Sequence, residues 1–149
     1  MDTDTKARRD WMSLLAKAPE AELSRLWAEY GDQTGFEWLR KPEVGGAMVR
    51  GRMGATGQPF NLGEMTVTRC SVRLNDGTVG HGYVQGRNRS MAETAARIDA
   101  LMQGDAGPSV RTAILDPLEA TVMSAKRKRA AKAAATKVEF FTMVRGEDK

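Results

Sequence analysis

Two stretches near the N-terminus space their apolar residues as amphipathic helices do. Pro19 opens the second stretch and Gly31 follows it, at positions where proline and glycine typically begin and end a helix. We therefore predict a helical hairpin that covers a sheet, with an independent docking helix as the alternative. The two apolar stripes comprise Trp11, Leu14, Leu15 and Ala18, and Leu23, Leu26, Trp27 and Tyr30.

The middle of the chain alternates apolar and polar residues with the period of β-strands. Short strands are predicted at 36–40 and 47–52, and longer strands at 65–74 and 78–85. Strands that follow one another this closely along the chain pair most simply as antiparallel neighbours. This part of the sequence therefore predicts an antiparallel sheet.

A tight hairpin is predicted between the last two of these strands. They flank Asn75-Asp76-Gly77, and Asp-Gly in a two-residue loop favours a type I′ turn, whose twist matches that of the strands. Such a turn fixes the register and gathers apolar side chains on one face. The predicted pairs on that face are Leu74 with Val79, Val72 with His81, and Cys70 with Tyr83.

The opposite face of the hairpin is predicted to be polar. It carries Arg69, Ser71 and Arg73, and the predicted register places Gly80 and Gly82 across from them. Glycine has no side chain, so an anion or another chain could approach the arginines. Because the guanidinium fork matches phosphate or carboxylate, Arg69 and Arg73 are candidate phosphate-binding residues.

Three further elements are predicted after the hairpin. The segment Ser90–Glu93 has the sequence of a capping box and begins a helix that ends near Gly104. Asp116, followed by proline, begins a second helix that runs to about Thr136. The stretch 138–144 is predicted as a strand with apolar residues on both faces, so it needs cover on both sides. Its candidate subunit-interface residues are Phe140, Phe141 and Met143.

These elements predict an α+β fold: an N-terminal helical hairpin, an antiparallel sheet with a central β-hairpin, two further helices and a C-terminal strand. The chain has 149 residues, of which 41% are hydrophobic and 28% charged, so we expect a single domain spanning 1–149. No apolar run is long enough to cross a bilayer, and the pattern of a signal peptide is missing. We therefore expect a cytoplasmic protein.

Few residues offer nucleophilic or metal-binding chemistry. Cys70 and His81 are the only cysteine and the only histidine, which excludes an internal disulfide and a metal cage built from this chain alone. The predicted register packs both residues on the apolar face, where a thiol is not activated. We therefore predict no catalytic residue and no metal site.

The net charge of +4 is concentrated in one segment, because residues 126–137 hold six bases and no acid. Such a run could contact the phosphates of a nucleic acid. However, four consecutive charges circle a helix, and few aromatic residues accompany them for base stacking. We favour a solvated or protein-docking helix and keep a stand-alone nucleic-acid-binding domain as the alternative.

A glycine-rich stretch at 48–64 is a further candidate site. A loop of this composition can present backbone N–H groups to a phosphate, with Arg50 and Arg52 on one strand face. We name Gly54 and Gly57 as further candidate phosphate-binding residues. The ending of a P-loop is missing. The alternative is a wide turn that needs positive φ at several positions.

The same stretch resembles the PhnG subunit of the bacterial carbon–phosphorus lyase system. The resemblance covers nearly the whole chain, and its central tract is long enough to be specific. Ala55 departs from the pattern, since relatives are expected to carry glycine there. Because alanine disfavours positive φ, its presence argues against the idea that this position needs positive φ. The similar segments are Met48–Gly54, Gly57–Glu64, Thr66–Cys70, Val72–Leu74, Gly80–Tyr83, Gly86–Arg87, Ala95–Leu101 and Val138–Gly146.

The resemblance implies a role in phosphonate catabolism. Proteins of this family act with PhnH, PhnI and PhnL to transfer the ribose 5-triphosphate part of ATP to methylphosphonate, with loss of adenine. PhnJ, which carries an iron–sulfur cluster, cleaves the carbon–phosphorus bond later. The resemblance thus implies an obligate hetero-oligomer in which this subunit has no cofactor of its own and transfers nothing when isolated. From the residues we expect it to bind neither nucleic acid nor membrane. A self-sufficient enzyme acting on ATP is a third class of function.

Overall fold

The computed structural model describes residues 2–138, which begin with the predicted helical hairpin. Helix α1 spans Thr3–Ala16 and helix α2 spans Glu20–Tyr30. Helix α2 ends at Gly31, whose φ of 66° is the left-handed conformation that commonly closes a helix. The N–H of this glycine donates to the carbonyl of Trp27. Both helices pack their apolar stripes against the core, as predicted.

Three antiparallel strands form one sheet in the order β1-β2-β3. Strand β1 spans Phe36–Arg52, β2 spans Pro59–Leu74, and β3 spans Val79–Gln85. The two short strands predicted in the first of these ranges are therefore one continuous strand. Pro42 and the residues before it are accommodated by shifts in the register with β2, so the chain remains extended through them.

Strands β1 and β2 extend beyond the end of β3 as a two-stranded arm, which we define as residues 47–64. A short 3₁₀ turn at Met53–Ala55 closes the arm. Leu62 is an extra residue between the pairs formed by Gly63 and Asn61, and it marks a bulge. None of the arm residues is buried. The glycine-rich stretch is therefore mostly paired strand with a short turn at its end.

The β2–β3 hairpin has a three-residue turn and not the predicted two-residue turn. Asn75, Asp76 and Gly77 form the turn, and Gly77 has a φ of 90°. The N–H of Leu74 donates to the carbonyl of Thr78 at 2.9 Å and closes the loop. This is the hairpin class in which a left-handed glycine forms a bulge at the end of the turn. The additional residue shifts the register by one position.

The shifted register reverses the two faces of β3. His81 pairs with Ser71 and Tyr83 pairs with Arg69, so both aromatic side chains lie on the polar face of the sheet. The prediction that they pack on the apolar face was wrong, because a register shift of one residue moves every side chain to the other face. We call the face that carries Arg69, Ser71, His81 and Tyr83 the open face.

Gly80 and Gly82 point to the core and lie directly beneath helix α3, which spans Arg89–Met102. A Cβ on Gly80 would lie 2.6 Å from the backbone nitrogen of Ala100, and one on Gly82 would lie 2.9 Å from that of Ala96. Real Cβ atoms do not approach other atoms this closely. These glycines therefore let the helix backbone touch the strand. The prediction that they leave open space beside the arginines was wrong, because they lie on the other face of the sheet.

Helix α3 begins before the predicted capping box. Its N-cap is Asn88, whose Oδ1 accepts a hydrogen bond from the N–H of Met91 at 3.0 Å, so Ser90 lies inside the first turn. Thr68 Oγ1 accepts from the N–H of Asn88 at 2.9 Å and donates to the carbonyl of Gly86 at 2.7 Å. These bonds fix the start of the helix to strand β2.

The last helical run comprises three consecutive segments. Helix α4 spans Gly107–Val110, a π-helical stretch spans Arg111–Leu115, and helix α5 spans Asp116–Ala135. The predicted N-cap at the start of α5 therefore lies within an existing helix. Leu118 is buried, whereas every residue from 123 to 138 is exposed. The second half of α5 thus extends away from the core.

The hydrophobic core lies between the helices and one face of the sheet, so the fold is α+β, as predicted. None of the helices within residues 2–138 combines the length and the apolar character needed to cross a bilayer. The strand predicted at 138–144, with Phe140, Phe141 and Met143, falls outside the described residues except for Val138. The fully buried side chains include Leu15, Leu23, Val72, Ile98, Ile114 and Leu118.

Candidate anion-binding cleft

A cleft of about 870 Å³ opens between helix α1 and the open face of the sheet. This volume is within the range of small-molecule binding sites. Within the described part of the chain, no acidic residue lines it. Its polar lining includes Arg8, Arg9, Arg40, Arg69, Ser71 and His81, and its apolar lining includes Met12, Ala16 and Tyr83.

Asp99 of helix α3 fixes one side of the cleft. Its carboxylate is fully buried and accepts hydrogen bonds from Arg8 Nε at 3.1 Å and Arg8 Nη2 at 2.8 Å. It also accepts from Trp11 Nε1 and from the backbone N–H of His81, both at 2.9 Å. The hydrogen bond to Asp99 raises the pKa of the Arg8 guanidinium above its ordinary value. One buried carboxylate therefore joins α1, β3 and α3.

Arg40 and Arg69 form the opposite side of the cleft, on strands β1 and β2. Arg40 Nη1 donates to Glu43 Oε1 at 3.1 Å, and Arg69 Nε donates to the same oxygen at 3.0 Å. Each guanidinium has five N–H donors, so one shared carboxylate oxygen leaves most of them available. This pairing orients the two side chains without neutralising both of them.

His81 and Tyr83 lie on the floor of the cleft. His81 Nδ1 is 2.8 Å from Ser71 Oγ, and Tyr83 remains 43% exposed. Sequence reasoning assigned both to the apolar face and therefore missed them. A three-residue turn at Asn75–Gly77, if it had been predicted, would have placed both residues on the open face.

Cys70 is buried behind the open face, as predicted. Only 2% of the residue is exposed, and its Sγ–H donates to the carbonyl of Ala92 at 3.1 Å. Burial raises the pKa of the Cys70 thiol to about 12, with a smaller contribution from the negative charge of Glu93. The residue therefore remains a thiol at neutral pH and does not act as a nucleophile.

The six predicted phosphate-binding residues fall in three places. Arg69 lines the cleft, and Arg73, on the same face of β2, pairs with Glu37 outside it. The remaining four lie on the arm. Arg50 and Arg52 pair with β2 residues that lie 8 and 10 positions before Arg69, which at about 3.3 Å per residue places them roughly 25–35 Å from Arg69, and Gly54 and Gly57 lie beyond them. The structure therefore does not bring Arg69 and the four arm residues into one site. The four residues on the arm are Arg50, Arg52, Gly54 and Gly57.

Other cleft residues carried a signal that sequence reasoning did not use. Asp99 is the only charged residue among Ile98, Ala100 and Leu101 in the buried face of α3. A lone carboxylate in such a position requires hydrogen-bonding or charged partners, and its charged partner is Arg8. Their separation of 91 positions along the chain gave no local pattern to detect.

The arm carries an apolar face that continues the open face of the sheet. Because side chains alternate along β2, Met65 lies on the same face as Arg69. Phe60 pairs with Gly51, and Leu62 covers the same glycine, which places both on that face. Phe60 is 42% exposed and Leu62 is 63% exposed. The cleft and the apolar arm face thus form one continuous surface.

The basic segment at 126–137 lies at the end of helix α5 and beyond it. All its residues are exposed, and no aromatic residue occurs in α5. Among residues 2–138 no group of three or more His, Cys, Asp or Glu side chains is placed to hold a metal ion. No contact in the described structure favours nucleic-acid binding by the basic segment.

Comparison with known proteins finds relatives of the whole chain. Residues 6–146 match the family model described as "Phosphonate metabolism protein PhnG". The chain is also similar to the "Alpha-D-ribose 1-methylphosphonate 5-triphosphate synthase subunit PhnG" of Rhizobium meliloti (strain 1021), with 45% identity over 147 residues. This match covers 99% of the chain and 94% of the relative. Both matches include the helices, the sheet and the arm.

Proposed function

Because the chain belongs to the PhnG family of phosphonate metabolism proteins, we propose that it is a subunit of an alpha-D-ribose 1-methylphosphonate 5-triphosphate synthase. In this reaction an oxygen of methylphosphonate bonds to C1′ of ATP as the bond from C1′ to adenine breaks. Adenine leaves with a proton, and the ribose keeps its 5-triphosphate. The proposed partners are PhnH, PhnI and PhnL, with the iron–sulfur subunit PhnJ acting on the product.

The observation that carries this proposal is the apolar face of the arm. Phe60 and Leu62 project from the arm, in which no residue is buried, and Met65 continues the same face at the base of the arm. An isolated two-stranded ribbon is only marginally stable in water, and contiguous exposed apolar side chains typically mark an interface. The arm is therefore suited to bind a partner subunit, and the chain acts as an assembly subunit of the synthase.

We assign the transfer chemistry to the assembled complex. Cys70 is held as a buried thiol and is therefore not placed as a nucleophile. His81 Nδ1 lies 2.8 Å from Ser71 Oγ, but within residues 2–138 no second side chain hydrogen-bonds the His81 ring, so the pair lacks the third group that orients a catalytic base. Phe140, Phe141 and Met143 remain proposed interface residues beside the arm. The complex uses ATP, and this subunit needs no cofactor of its own.

Co-expression with PhnH, PhnI and PhnL, followed by affinity capture and an adenine-release assay, tests the proposal. The double variant F60D/L62D places two charges on the apolar arm face. We expect it to lose capture of the partners and to reduce adenine release at least 10-fold, because unpaired charges are not tolerated in an apolar interface.

Met123→Asp is the matched control, since Met123 is 45% exposed but lies on helix α5, away from the arm. We expect this variant to assemble and to release adenine normally. The arm variant should keep the circular dichroism spectrum of the wild type, because its targets lie outside the core. Normal assembly of F60D/L62D, or adenine release by the purified chain alone, would refute the proposal.

A further inference from the structure

We propose that the cleft between α1 and the open face binds an oligophosphate chain, namely the triphosphate of a ribose 5-triphosphate. The arginine chemistry of the cleft argues for an oligophosphate, and the choice of a sugar triphosphate rests on the proposed function. The site is distinct from the glycine-rich turn of the arm, where the sequence pattern suggested phosphate binding.

The charge of the cleft favours a polyanion. Four guanidinium groups contribute to it, against the two carboxylates of Asp99 and Glu43 that pair with three of them. Arg9 forms no ion pair with any residue of 2–138. The cleft therefore retains a net positive charge, which attracts anions.

All four cations are arginines, and their arrangement matches phosphate recognition. A guanidinium presents parallel N–H groups that bind two phosphate oxygens at once, whereas lysine presents a point charge. The arginines come from opposite sides of the cleft, with Arg8 and Arg9 on α1 and Arg40 and Arg69 on the sheet. A polyanion bound in the cleft would therefore lie between cations of the helix and cations of the sheet.

Three of the arginines are held in place before any ligand binds. Asp99 holds Arg8 with two hydrogen bonds, and Glu43 holds Arg40 and Arg69 with one each. Side chains that are already ordered lose little conformational entropy on binding. Asp99 is thus a positioning residue, because it orients Arg8 and also binds the backbone of His81 on the cleft floor.

The size and floor of the cleft fit the sugar end of such a ligand. The volume of about 870 Å³ exceeds what three phosphates need. Met12 and Tyr83 offer apolar surface, while Ser71 and His81 offer hydrogen-bonding groups suited to ribose hydroxyls. An acidic segment of a partner protein is the competing occupant, but four guanidinium groups gathered around one cleft match the closely spaced charges of an oligophosphate better than the more widely spaced carboxylates of a peptide.

Isothermal titration calorimetry of the full chain with tripolyphosphate tests the proposal. We expect the double variant R9Q/R69Q to bind at least 10-fold more weakly than the wild type. R40K keeps the charge but loses the guanidinium fork, and we expect a several-fold loss. R111Q is the matched control, because Arg111 is an exposed arginine on the π-helical stretch that does not line the cleft, and its affinity should equal that of the wild type.

Equal affinity of R9Q/R69Q and the wild type for tripolyphosphate would overturn the inference. Binding of a glutamate-rich peptide as tightly as tripolyphosphate would overturn it as well, because the cleft would then bind acidic polypeptide. The circular dichroism spectrum of each variant checks that it is folded. R40K changes no charge and therefore remains informative if the double variant is unstable.

The outcomes separate this inference from the proposed function. A chain that assembles with PhnH, PhnI and PhnL, but binds tripolyphosphate independently of Arg9 and Arg69, would refute the cleft and leave the subunit role intact. A chain that binds tripolyphosphate through these arginines, but captures no partner, would refute the subunit role and leave the oligophosphate site intact.

Discussion

Ala55 occupies a backbone conformation that suits glycine better. Its φ of 65° lies in the left-handed region, where a Cβ costs roughly 1–2 kcal/mol. The position therefore has positive φ even though alanine replaces the glycine expected in relatives. Ala55→Gly should relieve that strain. The greater conformational entropy of glycine in the unfolded chain offsets roughly 0.4–1 kcal/mol of the resulting stabilisation. We expect a net stabilisation of about 0.5 kcal/mol, measured by native-state hydrogen exchange of the arm amides.

Gly54 supplies the control for that experiment. Its φ is 58°, and a Cβ placed there would meet no atom within 4 Å, so Gly54→Ala tests backbone strain without steric overlap. We expect this substitution to destabilise the arm by about 1 kcal/mol. Faster exchange in Ala55→Gly than in the wild type would show that the alanine is not strained.

The buried thiol of Cys70 gives the protein a defined response to alkaline pH. Its pKa is raised from 9.0 to about 12 in the folded protein. The unfolded chain therefore loses the proton first, and the contribution of Cys70 to stability is fully present below about pH 9 and is lost as the pH rises toward about 12. Cys70→Ala should flatten the fall in the free energy of unfolding across this range, measured by urea titrations at several pH values.

Alkylation provides an independent check on Cys70. At pH 8 iodoacetamide should modify the unfolded protein in urea, whereas the folded protein should react only as fast as it unfolds. Equal rates in the two states would contradict the assignment of a buried thiol with a raised pKa.

At the residue scale, the sequence singled out Arg69 as a candidate but not the residues that the structure places beside it in the cleft. Arg8 and Arg9 lie on the first helix, and nothing local links them to a strand more than fifty positions later. His81 was assigned to the core, because the turn that sets its face has two plausible lengths. One residue more in the turn therefore moves His81 from the core face to the cleft.

At the element scale, the contact between β3 and α3 depends on the absence of two side chains. Gly82→Ala would drive a Cβ against the backbone of α3, close to Ala96, and neither the helix nor the central hairpin can yield easily. We expect a loss of at least about 2 kcal/mol in the free energy of unfolding, as for other overpacked cores. Chemical denaturation measures this loss.

Gly63→Ala is the matched control for this substitution. Gly63 also lies in a strand, but a Cβ there would have no atom within 4 Å, so we expect a change of less than about 0.5 kcal/mol. Similar effects of the two substitutions would show that strand glycine itself, and not the helix contact, sets the stability.

The elements differ in how well the sequence predicted them. Helices α1 and α2 have regular apolar stripes and end signals, and the structure confirms both. Helix α3 was predicted correctly, but its N-cap was not, since Asn88 precedes the equally plausible Ser90 and is fixed by Thr68 from another strand. Local patterns thus specify an element, whereas long-range contacts select its boundaries.

At the scale of the whole molecule, the arm and the core should differ in dynamics. Residues 48–64 pair only with one another and none of them is buried, whereas β2 beyond Val67 and helix α3 lie in the core. We expect the arm amides to exchange with solvent rapidly in the isolated chain and at least 10-fold more slowly in the complex. Amides at 68–74 and 91–101 should exchange slowly in both.

Hydrogen exchange followed by mass spectrometry measures both states, with the exposed half of α5 as an internal reference. Arm amides that exchange equally in the free chain and in the complex would contradict the assignment of the arm as the interface. Protection confined to the basic end of α5 would place the interface there instead.

The whole-molecule arrangement of the cleft was beyond sequence reasoning for a physical reason. Helix α1 and the sheet are distant in sequence and meet at the cleft, where the carboxylate of Asp99, which no local period reveals, joins α1 to β3. The α+β class follows from element order alone, but the packing of α1 against the edge of β3 depends on the whole core.

The outer edge of β1 has consequences for the protein when it is made alone. Within residues 2–138 no strand pairs with this edge, so a row of backbone donors and acceptors remains open along much of its length. Pro42, which has no N–H, and the irregular register around it interrupt that row near the core. Along 47–52 the register with β2 shifts once, between Val49 and Arg50, but no proline removes a donor there. Subunits synthesised in excess of their partners should therefore add strands to one another and precipitate, which makes balanced production of the components a condition for solubility.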